Sequence, residues 1–364
     1  MDKKGRLTEY GKKCPTMGEI EVIRMRSIDI HIHGVNGYDT RTDSEDDILK
    51  IAEVLGSHGT SEIIPTIYPA SIKEMRKNMM TVRKAMDKQK EISNPPSPPF
   101  SKGGMQSFKK VGRGGITNKS LEDNDYLNRL STSDSQPSTI LGLHLEGPFL
   151  NPSRCGALDA KTFIEPTGKS LRKLLEGFED LVKIITIAPE IKGAAKLIKK
   201  ISDMGIIASM GHSDATFSEA EAGFHAGAKG ITHIFNAMRD FHHREPGIAG
   251  FGLINKDIYI EVITDPFHLH PKTLELVFKT KNPKKIIIVS DSVKETNSPP
   301  SPPCKGGVQR RAQKIAKDVT DAHGKLQGGS MTIFESSRRL IKMGFDKKVI
   351  TDCITKNPRR YLSV

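Results

Sequence analysis

The sequence predicts an α/β protein, a (β/α)8 TIM-type barrel, and three observations predict it. Eight apolar runs recur along the 364 residues, at 27–32, 61–68, 139–146, 182–188, 205–210, 228–234, 258–264 and 285–291. They are rich in Ile and Val and several lack strict alternation, which suits strands buried on both faces of a parallel sheet. Helix-like stretches separate them, and alternating βα units of this kind close into a barrel. Finally, acids and imidazoles gather at or just past the ends of five runs, the face on which barrels carry their chemistry.

In chain order, the run SIDIHIHG ends in His31 and His33, and the stretch 44–57 that follows reads as a helix. The run 61–68 leads to a second helical stretch, 71–90. Glu146 ends the third run, in LGLHLEGPF, and 182–188 is followed by helical 191–203. His212 stands just past the fifth run, in IIASMGHSDAT, before a helix over 216–227 that Thr216 and Glu219 open as a capping box. His233 lies in GITHIFNAM, and Asp291 ends the eighth run, in IIIVSDS.

Two segments break the pattern. Residues 94–104 (NPPSPPFSKGG) and 297–307 (NSPPSPPCKGG) are near-copies, too rich in Pro, Gly and Ser to continue a helix or a central strand. The expected organisation is an N-terminal remnant segment, 1–26, and a catalytic barrel, 27–364, with low-complexity inserts at about 92–137 and 294–318. The first insert falls on the barrel face away from the chemistry and the second on the chemical face.

The bulk properties narrow the function. The net charge of +13 comes from Lys and Arg spread over the whole length, and aromatic residues make up only 5%, so no stacking platform for nucleic acid is expected. A basic solvated surface that draws in small anions is the expectation. Cys14, Cys155, Cys304 and Cys353 are scattered, with neither a zinc-ribbon spacing nor a disulfide framework. No apolar run follows Met1 or approaches the roughly 20 residues that span a bilayer, so a cytoplasmic protein without membrane attachment is expected.

Glu146, His212, His233 and Asp291 are two carboxylates and two imidazoles delivered by strand ends, a set suited to holding a metal ion and activating water. His31 and His33 are two apart in an extended segment, so both rings reach one face and can share an ion.

The segments HIHG, GTSEIIPT, GLHLEGPFLNP, APE, GHSDAT, THIFNAM, HHREPG, DPFHLHP, VSDS and GGSMT follow one another across residues 29–332. In this order the chain resembles the N-acetylglucosamine-6-phosphate deacetylases of the amidohydrolase superfamily over most of its length. HLEGPF together with THIFNAM is the specific part of the match. The resemblance implies a primary metal site at Glu146, His212 and His233. His31 and His33, with Asp291 and a bridging Glu146, would build a second, giving one or two Zn or Fe ions per subunit. It implies Asp291 as the acid–base residue, taking a proton from water and returning it to the departing nitrogen. It further implies a sugar-phosphate substrate, a phosphate contact at Arg244 with Asn236 and Ala237, and a sugar contact at His268. Gln327, Gly328 and Gly329 would line the substrate, and a homodimer would let Arg244 serve the neighbouring subunit. The activity so implied is hydrolysis of the acetamide of N-acetylglucosamine 6-phosphate. The alternatives are a related substrate such as N-acetylgalactosamine 6-phosphate, or an inactivated sugar-phosphate-binding remnant.

Two departures stand out. Relatives usually carry a histidine after GPFLNP where this chain reads Cys155-Gly156-Ala157-Leu158, so Ala157 and Leu158 occupy a substrate-facing position without a hydrogen-bond donor. Only 30 residues precede His31 and few follow Asn357-Pro358, so the family's small β-sandwich is expected to be reduced or absent.

Overall fold

A computed structural model describes residues 27–93, 136–296, 319–321 and 324–364; the segment 1–26 and the inserts over 94–135 and 297–318 lie outside the described residues. The predicted barrel is present. Its strands are β1 (Ile28–Ile32), β2 (Glu62–Ile67), β3 (Leu143–Phe149), β4 (Val182–Ile187), β5 (Ile207–Met210), β6 (Gly230–Ile231), β7 (Tyr259–Ile263) and β8 (Ile286–Val289). Each pairs in parallel with the next. A parallel bridge between Ile32 and Ser292 closes the ring. There the Asp291 N–H donates to the His31 carbonyl at 2.9 Å and the His33 N–H to Ser292 at 2.7 Å. Among the described residues the other named strands are the hairpin Gly34–Val35/Tyr38–Asp39 and Thr139–Ile140, so none belongs to a sandwich.

Helices cover the outside because their apolar residues recur at helical spacing. In α1 (Glu45–Ser57), Ile48, Ile51, Ala52 and Leu55 are buried, Ser44 caps the N-terminus, and Glu45, Asp46 and Asp47 complement the helix dipole. After α2 (Ile72–Ser93), α3 (Gly168–Leu175) and α4 (Ala194–Asp203), the expected capping box of Thr216 and Glu219 opens α5 (Phe217–His225). Then come α6 (Gly247–Ile254), α7 (Pro271–Thr280), α8 (Ile333–Lys342), α9 (Lys347–Ile354) and α10 (Lys356–Leu362). Among the described residues no helix is long and apolar enough to cross a membrane.

Two buried clusters result. One lies between sheet and helices; the other joins Ile28, Ile30, Ile64, Ile184, Ile207, Ile263, Ile287 and Val289 with Tyr361 of α10. The flanks of the inserts belong to the barrel rather than to the low-complexity segments. Just past the first expected insert, Ser138 donates to the Thr60 carbonyl at 2.8 Å. At the start of the second, Thr296 donates to the Gly329 carbonyl at 2.6 Å, so this residue packs with the barrel.

Lys281, just past α7, is buried and caps the end of α6, its Nζ donating to the carbonyls of Gly252 at 2.7 Å and Asn255 at 2.6 Å. Burial, reinforced by Lys285, brings this amine down from 10.5 to about 7. Between those values the unfolded chain holds the extra proton, so the folded state gains stability as pH rises from about 7 toward 10.5, by up to about 1.4 kcal/mol per pH unit. Lys281→Met should remove that component of the slope. Urea unfolding of both proteins across this range measures it, and equal slopes would contradict the assignment.

Candidate metal centre and active site

The strands that deliver the candidate ligands are irregular where they do so. Between Asp29 and Ile32 the β1 register slips against β2, with one more residue on β1. Such a bulge reverses which side chains face inward. Ile28 and Ile30 therefore join the inner cluster, Ile32 joins the outer one, and His31 and His33 turn into the barrel mouth. Glu146, expected at a strand end, lies inside β3, whose ladder with β4 is interrupted just beyond it, between Glu146 and Phe149.

His212, His233 and Asp291 follow β5, β6 and β8 directly, and all three have positive φ, at 46°, 29° and 49°. Non-glycine residues rarely adopt this backbone, at a cost of about 1–3 kcal/mol each, and such strain concentrates at functional sites. The tertiary framework holds three chemically reactive side chains in this state.

The six side chains converge. The ligand atoms of Glu146, His212 and His233 lie within 4.8 Å of one another, as do those of His31, His33 and Asp291. Glu146 stands at the centre, 3.0 Å from His212 Nε2, 3.1 Å from His233, 3.4 Å from His31 and 3.2 Å from His33. Asp291 Oδ1 lies 3.5 Å from Nε2 of both His31 and His33. Burial opposes the charge on Glu146, but His212, with His233 and His31, holds its carboxyl well below the usual carboxylate range. Burial likewise opposes a charge on His31, yet Asp291, Glu146 and Glu261 raise it well above an ordinary imidazole.

These residues fit a divalent ion. The donor set is nitrogen and oxygen, as Zn²⁺ or Fe²⁺ requires. The anionic surroundings that favour a proton on His31 equally favour a metal cation, the two competing for Nε2. Two of the four second nitrogens are tied down too: His212 Nδ1 donates to the Arg154 carbonyl at 3.0 Å, and His31 Nδ1 lies 3.1 Å from Glu261 Oε2. Hydrogen bonds of this kind fix which nitrogen faces a metal.

Several residues the sequence did not single out shape the site. Buried Glu261 of β7 supports His31, and Tyr68 stacks on His33 with ring centroids 3.8 Å apart, itself covered by Arg41. His144, kept neutral by burial and by nearby His31, bonds Thr186 at 2.8 Å and continues through Thr232 to Ser209 inside the barrel. At the rim, Asp214 pairs with both Arg154 and Arg239, and Glu190 accepts from Asn151, Ser213 and the Asp214 N–H. Their signal was proximity to motifs: Arg154 follows GPFLNP, Asp214 lies in GHSDAT, Glu190 in APE and Arg239 after FNAM.

Several of the candidate substrate residues lie beside this centre. Gly156, at φ 58°, brings its loop so close to His212 and Ala237 that an added Cβ would stand 3.0 Å from the Ala237 Cβ. Ala157 is exposed and Leu158 half-buried. The Asn236 amide donates to the His233 carbonyl at 3.2 Å, and the Ala237 carbonyl accepts from the Ser213 N–H. Gly329 donates its N–H to the Asp291 carbonyl at 2.7 Å, and a Cβ there would meet the Ser290 carbonyl at 1.9 Å, so only glycine fits. Gly328 is buried beside it and Gln327 half-buried. His268 is paired with Asp265 at 3.1 Å. Arg244 is exposed, and among the described residues its guanidinium makes no ion pair, so it joins none of the six convergent side chains.

Known proteins resemble this chain in sequence and in fold. No family model matches the chain. It is 42% identical over 156 residues to N-acetylglucosamine-6-phosphate deacetylase of Bacillus subtilis (strain 168), a stretch covering 43% of this chain and 39% of that protein. It is 26% identical over 350 residues to N-acetylgalactosamine-6-phosphate deacetylase of Escherichia coli O157:H7, covering 96% of this chain and 80% of that one. The match thus spans well under two thirds of the Bacillus protein. Among solved structures, N-acetylglucosamine-6-phosphate deacetylase of Thermotoga maritima superposes with a TM-score of 0.67 at 25% identity, over 93% of this chain and 78% of that chain.

Proposed function

From this likeness to the N-acetylated sugar-phosphate deacetylases, we propose that the chain is a metal-dependent amidohydrolase that hydrolyses the acetamide of N-acetylglucosamine 6-phosphate to glucosamine 6-phosphate and acetate. The observation that carries the reading is the convergence of Glu146, His212 and His233 beside His31, His33 and Asp291 at the barrel mouth. Glu146, His212 and His233 would hold the primary ion, with a second at His31, His33 and Asp291; Zn and Fe both suit the donors. A bound divalent ion supplies Lewis acidity, lowering the pKa of a water and polarising the amide carbonyl.

The protein's own groups do the rest. Asp291 accepts a proton from the attacking water and delivers it to the nitrogen as the C–N bond breaks, leaving acetate and the free amine. The Asp291 backbone, bonded to His31 on one side and Gly329 on the other, keeps the carboxylate in register with the ligands. Arg244 would take the phosphate, since a guanidinium meets phosphate oxygens through two N–H donors. Its exposure suits service to a second subunit in a homodimer.

Metal analysis coupled to an acetate-release assay tests the reading, and metal-loaded protein that releases no acetate from any N-acetylhexosamine phosphate would refute it. The Escherichia coli relative, matched over nearly the whole chain, favours N-acetylgalactosamine 6-phosphate as the second candidate; a two-substrate comparison of kcat/KM separates the epimers. Arg244→Met should raise KM for the phosphorylated sugar by about 10- to 100-fold, the worth of a charge-assisted hydrogen bond, and leave the unphosphorylated sugar unaffected. Equal activity of the parent on both forms would remove the role of Arg244.

A further inference from the structure

We propose that Asp265 is a positioning residue that orients the His268 ring and holds Ser330 and the adjoining Gly329 beside Asp291. The substrate readouts below rest on the deacetylase reading; the spectroscopic one does not.

Asp265 follows β7 and is buried. Its Oδ1 accepts from the N–H groups of Phe267 and His268, each at 2.9 Å. Its Oδ2 accepts from the Ser330 N–H at 2.9 Å and the Ser330 hydroxyl at 3.0 Å. His268 Nδ1 sits 3.1 Å from both oxygens. One carboxylate thus collects donors from two loops at the chemical face. Only an anion with acceptors on both arms satisfies this set, because an amide would turn its own N–H2 against a donor. Burial works against the charge, yet the hydrogen bond and charge of His268 hold Asp265 well below the usual carboxylate range.

Two consequences follow. The His268 proton is drawn to Nδ1, which leaves Nε2 as the ring nitrogen available to a ligand. Ser330 is covalently next to Gly329, whose N–H bonds the Asp291 carbonyl and whose own carbonyl accepts from Thr296. The Asp265 contact therefore reaches the Asp291 backbone through one residue. Arg339 of α8 adds a second tie, donating to the Thr264 carbonyl at 2.7 Å.

The experiment compares the parent with Asp265→Asn, His268→Gln and the double variant, all metal-loaded. With N-acetylglucosamine 6-phosphate, Asp265→Asn should raise KM about 10- to 100-fold, with a smaller fall in kcat and unchanged metal content. The double variant should have the KM of His268→Gln, because one residue acts through the other. Additive KM losses in the double variant, or unchanged KM in Asp265→Asn, would overturn the proposal; the fall in kcat, which runs through Ser330 and Gly329, should persist in the double variant. Nitrogen-15 spectra of histidine-labelled protein, assigned with His268→Gln, should show His268 protonated on Nδ1 in the parent and a tautomer mixture in Asp265→Asn. If Asp265→Asn does not fold, the parent spectrum decides, and a ring protonated on Nε2 alone would sink the idea. Absence of any deacetylase activity, with the spectra as expected, would instead reject the substrate reading and keep the positioning role.

Discussion

Asp291→Asn is expected to lower kcat by about 10²- to 10⁴-fold, the usual range for loss of a general acid–base group, with the ion at Glu146, His212 and His233 retained. The substitution is nearly isosteric, and Asn tolerates the left-handed backbone that Asp291 adopts at φ 49° better than most residues. The backbone bonds to His31 and Gly329 use main-chain atoms and survive. What is lost is the ability to accept a proton. Asp291 also stands 3.5 Å from His31 and His33, so any ion held there should bind more weakly in the variant. Acetate release and metal content, measured on one preparation, check both parts. Activity within tenfold of the parent would show that another group moves the proton.

Replacing Glu146 should do more. Its carboxylate faces four buried imidazoles at 3.0–3.4 Å, two from each candidate ligand group. In Glu146→Gln the central anion disappears while the imidazoles remain packed together. Metal affinity should fall by more than the roughly 10- to 100-fold seen when a group merely supporting a ligand is removed, and turnover should fall with it. Metal titration of the chelator-treated protein measures the loss. Parent-like affinity in Glu146→Gln would mean that the imidazoles suffice and that Glu146 is not a ligand.

The two variants also separate roles that the sequence left adjacent. Both residues are carboxylates at the ends of apolar runs, and nothing local distinguishes a central ligand from a proton carrier. Distance does: Glu146 touches four rings, whereas Asp291 lies at the edge, beside two.

The barrel was legible because its elements are written in neighbouring residues. Apolar run length, Ile and Val content and capping pairs such as Thr216 with Glu219 act over a few positions, and the order of strands follows from chain order in a βα repeat. The same locality exposed His31, His33, Glu146, His212, His233 and Asp291 as candidates. Neither the β1 register slip that turns His31 and His33 into the mouth nor the positive φ at His212, His233 and Asp291 could be read from composition.

Nor could the supporting contacts. Glu261 reaches His31 across 230 residues of chain, and Ser330 reaches Asp265 across 65. Glu261 looks like any acid in a strand until closure of the sheet brings β7 and β1 around a shared interior. Periodicity and capping are properties of adjacent residues, so the chain declares its strands, helices and reactive side chains directly. The pairing of a buried charge is a property of the closed barrel, because only packing decides which distant donor is near enough to offset the cost of removing that charge from water.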